Sequence, residues 1–294
     1  MSSPGPHTPD VLVEWFDRAA RKLPWRDPDT TPWGVLVSEV MLQQTPVARV
    51  VPVYLQWLAR WPQPRDLADD EPAEAIRMWG RLGYPRRALR LHQSAKVLLQ
   101  RHDGAVPEDL GMLLSLPGVG DYTARAVLAF GFGRRSPVVD VNVRRVLARA
   151  VAGEPDAGPA TTASDRALAD GLIPQEDALG SRTAAALMEL GAVICTARTP
   201  SCEQCPISSD CRWYSRGRPA GTTAPRRGQG YAGTDRQARG RLLEAVRTAS
   251  QPVPADTLAL LWEDPEQRMR SLRSLVSDGL LVRGRDDTYS LPRT

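Results

Sequence analysis

Apolar positions along most of this chain recur every three or four residues, the period of helices that bury one face. Val11, Leu12, Trp15, Phe16, Ala19 and Ala20 share one face of a helix predicted over residues 10–22, behind the start signal Thr8-Pro9-Asp10. Further helices are predicted from Trp33 to Gln44, from Pro46 through Leu58, in two short pieces up to Trp79, and from Arg86 to His102. A glycine turn, Leu116-Pro117-Gly118-Val119-Gly120, precedes a helix over Asp121–Phe130. After the extended Pro137-Val138-Val139, helices are expected from Asp140 to Val151, Thr162 to Leu172 and Glu176 to Ile194. Strand signals appear only in the last sixty residues. There, helices near 236–250, 254–262 and 265–278 are followed by short strands at Leu280–Val282 and Thr288–Leu291, a winged-helix pattern. The chain therefore reads as mainly α with a small α+β module at its end.

Composition narrows the class. No run of eighteen apolar residues exists and the first ten residues lack an apolar core, so neither a membrane span nor a secretory signal is expected. The expected location is the cytoplasm, associated with the nucleoid if the source is bacterial. A net charge of +4 says little, but residues 212–241 carry eight arginines against the single acid Asp235. Such a tether suits a polyanion partner or serves as a solubilising linker. Lys22 and Lys96 are the only lysines, which limits any chemistry that needs an amine.

Two motifs carry chemistry. The turn at 116–120 stands between helices, where its glycines let a phosphodiester approach bare backbone N–H groups beside a helix N-terminus. Cys195, Cys202, Cys205 and Cys211 crowd into seventeen residues with the spacing C-x6-C-x2-C-x5-C. With no export signal, four such thiols predict a metal site, either zinc or iron–sulfur; with one CxxC rather than two, a single loop wrapping a cubane is the better fit.

The hairpin, Asp140 some twenty residues after it, and this cysteine spacing resemble the helix-hairpin-helix DNA glycosylases with an iron–sulfur loop, the superfamily of endonuclease III and the MutY adenine glycosylases. The resemblance covers residues 10 to about 215. It implies two helical lobes: a six-helix-barrel lobe with the hairpin at 33–135, and an iron–sulfur lobe of 1–32 and 136–194. A cluster loop at 195–214 follows, then a basic linker at 215–235 and the winged-helix-like module at 236–294, in place of the Nudix-like domain that recognises 8-oxoguanine in well-known members. Val37-Ser38-Glu39-Val40-Met41-Leu42-Gln43-Gln44-Thr45 is similar to the adenine-branch signature, with Glu39 at the position of its catalytic acid. Tyr122 stands where endonuclease III has its nucleophilic lysine, so an enzyme without lyase activity is expected.

By the same resemblance, Glu39 would protonate the departing base, Asp140 would steady the cationic sugar, and Tyr122 would position or relay protons. Apolar neighbours should raise the pKa of Glu39, and the helix start with Asn142 should keep Asp140 ionised. Glu189 and Arg26 would face the extruded adenine. Gln44 and Tyr84 would wedge the duplex open, with Gln43 and Thr45 beside the partner strand. Leu116, Gly118 and Gly120 would grip phosphate, with a monovalent cation on the hairpin carbonyls. The four cysteines would bind a [4Fe-4S] cluster, with Arg198, Arg212 and Arg216 beside it for phosphate contact. In the terminal module, Met269, Leu272 and Leu275 are expected in the core and Arg268, Arg270 and Arg273 toward DNA. The implied substrate is double-stranded DNA with adenine opposite 8-oxoguanine or guanine, acted on by a monomer. Two other readings are an endonuclease III-like glycosylase for oxidised pyrimidines and a non-catalytic iron–sulfur DNA-binding regulator.

Overall fold

The computed structural model describes residues 8–221 and 230–293; of the linker expected at 215–235, residues 222–229 lie outside the described residues. In chain order the helices are α1 (Thr8–Ala19), α2 (Pro32–Leu42), α3 (Val47–Arg60), α4 (Pro64–Asp69), α5 (Pro72–Trp79), α6 (Arg86–Arg101), α7 (Leu110–Leu114), α8 (Asp121–Ala126), α9 (Val141–Leu147), α10 (Ala163–Leu172), α11 (Asp177–Val193) and α12 (Arg212–Ser215). After the linker come α13 (Asp235–Thr248), β1 (Val253–Pro254), α14 (Ala255–Ala259), α15 (Pro265–Ser277), β2 (Val282–Arg283) and β3 (Thr288–Ser290). No described helix is long and apolar enough to cross a membrane.

Starts follow local chemistry. Asp109, Asp140 and Asp264 each accept a backbone N–H at the head of α7, α9 and α15, and Thr162 with Asp165 forms a capping box before α10. The helices expected to end at Phe130 and Val151 are not uniform: α8 widens into a π-helical turn over Val127–Gly131 and α9 into another over Ala148–Ala152. Such turns insert one residue per turn into the ladder and recur at functional sites.

By mutual packing the described residues form two units. One comprises those of Met1–Glu39, Pro107–Ser115 and Val119–Pro225; the other those of Val40–Val106, Leu116–Gly118 and Arg226–Thr294. Lobe boundaries at residues 32 and 135 were expected, whereas α8 groups with α9–α12. In the first unit, Leu12 and Trp15 of α1 pack with Val143, Val146 and Leu147 of α9 and Leu187 and Leu190 of α11. Close approach of α9 and α11 depends on Gly191, because a Cβ there would lie 2.7 Å from the carbonyl oxygen of Asn142.

In the second unit, Trp57 meets Trp61 and Trp79 edge-on, with ring centroids 4.6 and 5.8 Å apart. The terminal module has three helices and an antiparallel sheet of order β1-β3-β2. Strand β1, a two-residue stretch holding a proline, escaped the alternation criterion; it pairs Val253 with Tyr289. The module shares its core with the helical unit, since Ala73 and Ile76 of α5 join Leu242, Leu243, Val246, Leu272 and Leu275. Leu272 and Leu275 are buried as expected, but Met269, one turn before Leu272 in α15, is 38% exposed. Arg268 donates to the Trp262 carbonyl, and Arg270, which stays exposed, forks onto Asp235.

Candidate active site

Helix α2 is apolar on every side, and Glu39 lies on it with only 4% of its surface exposed. Burial pushes the Glu39 carboxyl up to about 7; the nearby Tyr122 hydroxyl and the Arg26 charge pull it down, while Asp140 adds to the rise. Its Oε2 atom is buried without a hydrogen-bond partner among the described residues. A buried carboxyl oxygen left unpaired is costly unless a ligand completes it. The Tyr122 hydroxyl has the Met188 thioether at 3.9 Å, and burial beside two carboxyls holds its pKa well above the usual phenol value, so it remains a donor.

Asp140 is the N-cap of α9, accepting from the Val143 amide at 2.7 Å and from the Asn142 side chain at 2.7 Å. These bonds favour the charged form, but they do not bring the pKa below its usual value. Burial pushes the carboxyl up, and the two hydrogen bonds and Arg145 offset only part of the rise. Asn142 in turn accepts from Arg145 at 2.8 Å, and Arg145 also donates to the carbonyls of Gly191 and Cys195, both at 2.6 Å. A continuous set of hydrogen bonds thus runs from Asp140 to the first residue of the cysteine loop.

Glu189 on α11 is fully buried, and its environment is the reverse of that of Glu39. Arg21 donates through its backbone N–H, Nε and NH2, the last two at 2.7 and 2.8 Å, and Arg26 donates at 2.9 Å. Burial raises its pKa, but hydrogen bonds and charge from the two arginines outweigh that and bring it to about 2. Glu189 and Arg26, expected to face the adenine, are therefore bonded to each other, and Arg26 also lies over the Phe16 ring at 5.1 Å.

The second unit gathers the expected duplex-probing residues around Arg87. This buried guanidinium donates to the carbonyls of Val40, Met41, Gln43 and Gly83 at 2.6–3.0 Å and to Thr45 Oγ1 at 2.9 Å. It stacks over Tyr84 and Trp79, with centroids 5.5 and 5.1 Å away, and burial lowers its pKa to about 10, so it stays charged near neutrality. Gln44 and Tyr84, both exposed, have φ of 56° and 47°, the left-handed region that side chains rarely adopt. Thr45 is buried and turned inward. Leu116 is also buried, which leaves only its backbone for phosphate, whereas Gly118 and Gly120 are exposed. Gly118 has φ of 82°, and a Cβ there would meet Arg90 at 2.9 Å.

Cys195, Cys202, Cys205 and Cys211 line one small cavity, together with Arg149 and Trp213. Among the described residues no three metal-binding side chains converge on a single-ion site. Burial and the neighbouring sulfurs push the Cys205 thiol up to about 12 and raise Cys211, so bound cations are what would hold these two as thiolates. Arg149, buried under the loop, approaches Cys195 Sγ at 3.5 Å, donates to the carbonyls of Thr196 and Ala197, and lies 4.5 Å over the Trp213 ring. The donor set fits a cluster. Of the flanking arginines, Arg198 is exposed and Arg216 reaches back to the Gly153 carbonyl. Arg21, Arg145, Arg149 and Arg87 were missed by sequence reasoning. The i, i+4 pair Arg145 and Arg149 downstream of the Asp140 cap was the one available signal.

The HhH-GPD superfamily base excision DNA repair protein family matches residues 37–169, and the iron–sulfur binding domain of endonuclease III matches 195–211. A thermostable thymine-DNA glycosylase superposes with a TM-score of 0.63 at 27% identity, covering 71% of this chain and 95% of that one. An endonuclease III–DNA covalent intermediate, at TM-score 0.60 and 24% identity, shares the fold over 72% of this chain and 95% of that one. These likenesses define the class as a helix-hairpin-helix DNA glycosylase carrying an iron–sulfur cluster. The adenine DNA glycosylase of Mycolicibacterium smegmatis is 52% identical over 285 residues, 97% of this chain and 96% of that protein. That of Mycobacterium tuberculosis is 50% identical over 282 residues, 96% of this chain and 92% of its own length, while the human one matches at 41% over 68% of this chain and 38% of its own. The chain belongs to the adenine DNA glycosylase family.

Proposed function

We propose that this enzyme extrudes adenine mispaired with 8-oxoguanine or guanine from double-stranded DNA and hydrolyses its N-glycosidic bond, as a monomer in the bacterial cytoplasm and without lyase activity. The observation that carries the reading is Glu39: a buried carboxyl with one oxygen unpartnered and a pKa near 7. Such a group keeps its proton in a large fraction of molecules near neutral pH and can donate it when a basic atom enters. Here the entering atom is a ring nitrogen of the flipped adenine. Proton transfer from Glu39 lets the C1′–N9 bond break with its electron pair leaving on the base. The Asp140 carboxylate stabilises the oxocarbenium-like sugar, transiently as a covalent adduct, before water adds to give the abasic site. Tyr122, a neutral phenol, holds the Glu39 carboxyl and the sugar in register. Glu189 fixes Arg26 at the wall of the base pocket.

Gln44 and Tyr84 would fill the space the adenine leaves, and Gly118 and Gly120 would hold phosphate. A monovalent cation on the hairpin carbonyls would add positive charge there. The four cysteines would hold the [4Fe-4S] cluster, which supplies iron–thiolate bonds that fix the loop at 195–211. The lack of a lysine at position 122 supports hydrolysis alone. Single-turnover adenine release tests the reading with duplexes carrying adenine opposite 8-oxoguanine, guanine and thymine. Release in that order of rate, with none opposite thymine and no borohydride-trapped adduct, is expected. No adenine release from any duplex by cluster-loaded protein would overturn it.

A further inference from the structure

The loop Gly80–Pro85, which carries Tyr84, is held in a constrained shape. Gly80, Gly83 and Tyr84 all have positive φ, and Tyr84 pays the steric penalty of a side chain there. A segment in that state keeps its shape only if its surroundings over-determine it. On one side Arg87 and Trp79 donate to the Gly83 carbonyl, Thr45 to that of Leu82 and Arg49 to that of Arg81. The other side is fixed by the C-terminal module.

Arg247, on the last turn of α13 and almost fully buried, donates through NH1 to the Gly80 carbonyl at the start of the loop. Arg77, one turn before the loop, donates back to the carbonyls of Arg247 and Ala249. Glu244 pairs with Arg247 and, at 3.4 Å, with Arg81. Beyond the loop, Asp278 of the module binds Arg86 at 3.2 Å and is itself held by Arg239 at 2.6 Å. The apolar floor is continuous, with Ile76 of α5 and Leu89 of α6 packed into the module's core. The pairs of Arg81 and Arg86 are exposed and screened, so of the module's contacts to the loop the Arg247–Gly80 bond, the least exposed, carries most of the constraint.

We propose that the module acts in the glycosylase reaction as a brace: through Arg247 it positions the Gly80–Tyr84 loop so that Tyr84 enters the duplex beside the partner base. This rests on the wedge role of Tyr84 proposed above. Arg247 is a positioning residue, acting through Tyr84. The module thereby serves recognition of the mispair by setting loop geometry from within the protein.

The test is a double-mutant cycle on the full-length, cluster-loaded enzyme with Arg247→Ala, Tyr84→Ala and both together. Single-turnover rates on adenine opposite 8-oxoguanine are read alongside the fluorescence of 2-aminopurine placed next to the 8-oxoguanine, which reports unstacking by the wedge. Arg247→Ala should slow release about tenfold and reduce the fluorescence rise, the effect of one lost charge-assisted hydrogen bond. The double variant should be no slower than Tyr84→Ala alone, because both act through one side chain. Arg247→Lys, which keeps a donor and the packing of the aliphatic stem, should recover part of the fluorescence rise. A full fluorescence rise in Arg247→Ala, or multiplying effects in the double variant, would overturn the brace while leaving the wedge intact. An unchanged rise in Tyr84→Ala would instead overturn the wedge reading, and the brace with it.

Discussion

Two buried glutamates in the same unit of this protein end in opposite protonation states. Glu39 and Glu189 sit on apolar helices at 4% and 0% exposure, yet one carboxyl is pushed up to about 7 and the other brought down to about 2. Desolvation raises both. The difference is that two guanidiniums bond to Glu189, whereas Glu39 has the charge of Arg26, the Tyr122 hydroxyl and an oxygen without a partner among the described residues. Burial alone therefore makes a proton donor, and burial with two paired cations makes a fixed anion. The first state suits an acid that must release a proton to its substrate; the second suits an anchor that orients Arg26.

The largest expected break in this contrast is Glu39→Gln. Removing the general acid should lower single-turnover adenine release by about 10²- to 10⁴-fold. In the native enzyme, release should fall as pH rises through about 7, where Glu39 loses its proton. Stability follows with a definite sign. Because the folded pKa is raised, the carboxyl's contribution is fully present below the unfolded value near 4.5 and is lost as pH rises through about 7. Glu39→Gln should thus be more stable than the native protein above pH 7, by up to about 3 kcal/mol, with the difference closing toward acid pH. Melting temperatures measured across that range check it; a variant less stable at every pH would show that Glu39 is paired after all.

A smaller effect, opposite in sign, is expected at the second carboxyl. Glu189→Gln leaves Arg21 and Arg26 facing a neutral amide. Because both arginines are partly exposed, the cost should be about 1–3 kcal/mol rather than that of an isolated buried charge. In the native protein the depressed pKa contributes stability that is present above about 4.5 and is lost as pH falls through about 2. Denaturant midpoints should show the variant less stable at pH 7 and approaching the native protein in acid.

The smallest effect sharpens the comparison with Asp140, an acid between the two extremes. Asn142→Ala removes the donor to Oδ2 and the acceptor of Arg145, so the Asp140 pKa should rise further. Adenine release should slow about tenfold, with the acid limb of the pH–rate profile moved upward. An unshifted limb would mean that the Val143 amide alone sets the state of Asp140.

Much of the fold was legible. Helix starts at Asp140 and Thr162, the glycine turn at 116–120, and the winged-helix pattern all follow from local chemistry that tertiary packing leaves in force. Strand β1 was not, because two residues give no alternation and its pairing with Tyr289 comes from far along the chain. The acceptors of Arg268 and Arg270, Trp262 and Asp235, were not legible for a similar reason: they are set by the packing of the module.

By itself the sequence determined which chemistry is available: four thiols in one loop, two lysines in the chain, a tyrosine at position 122, and acids at 39, 140 and 189. Which of those acids holds a proton was decided only by the tertiary structure. The local contexts Val-Ser-Glu39-Val-Met and Leu-Met-Glu189-Leu are alike, and nothing in either window distinguishes an acid from an anion. Arg21 reaches Glu189 across 168 positions of sequence, while among the described residues no cation pairs with Glu39. Protonation depends on solvent exclusion and on charges within a few ångströms, and both are properties of packing that no short stretch of sequence encodes.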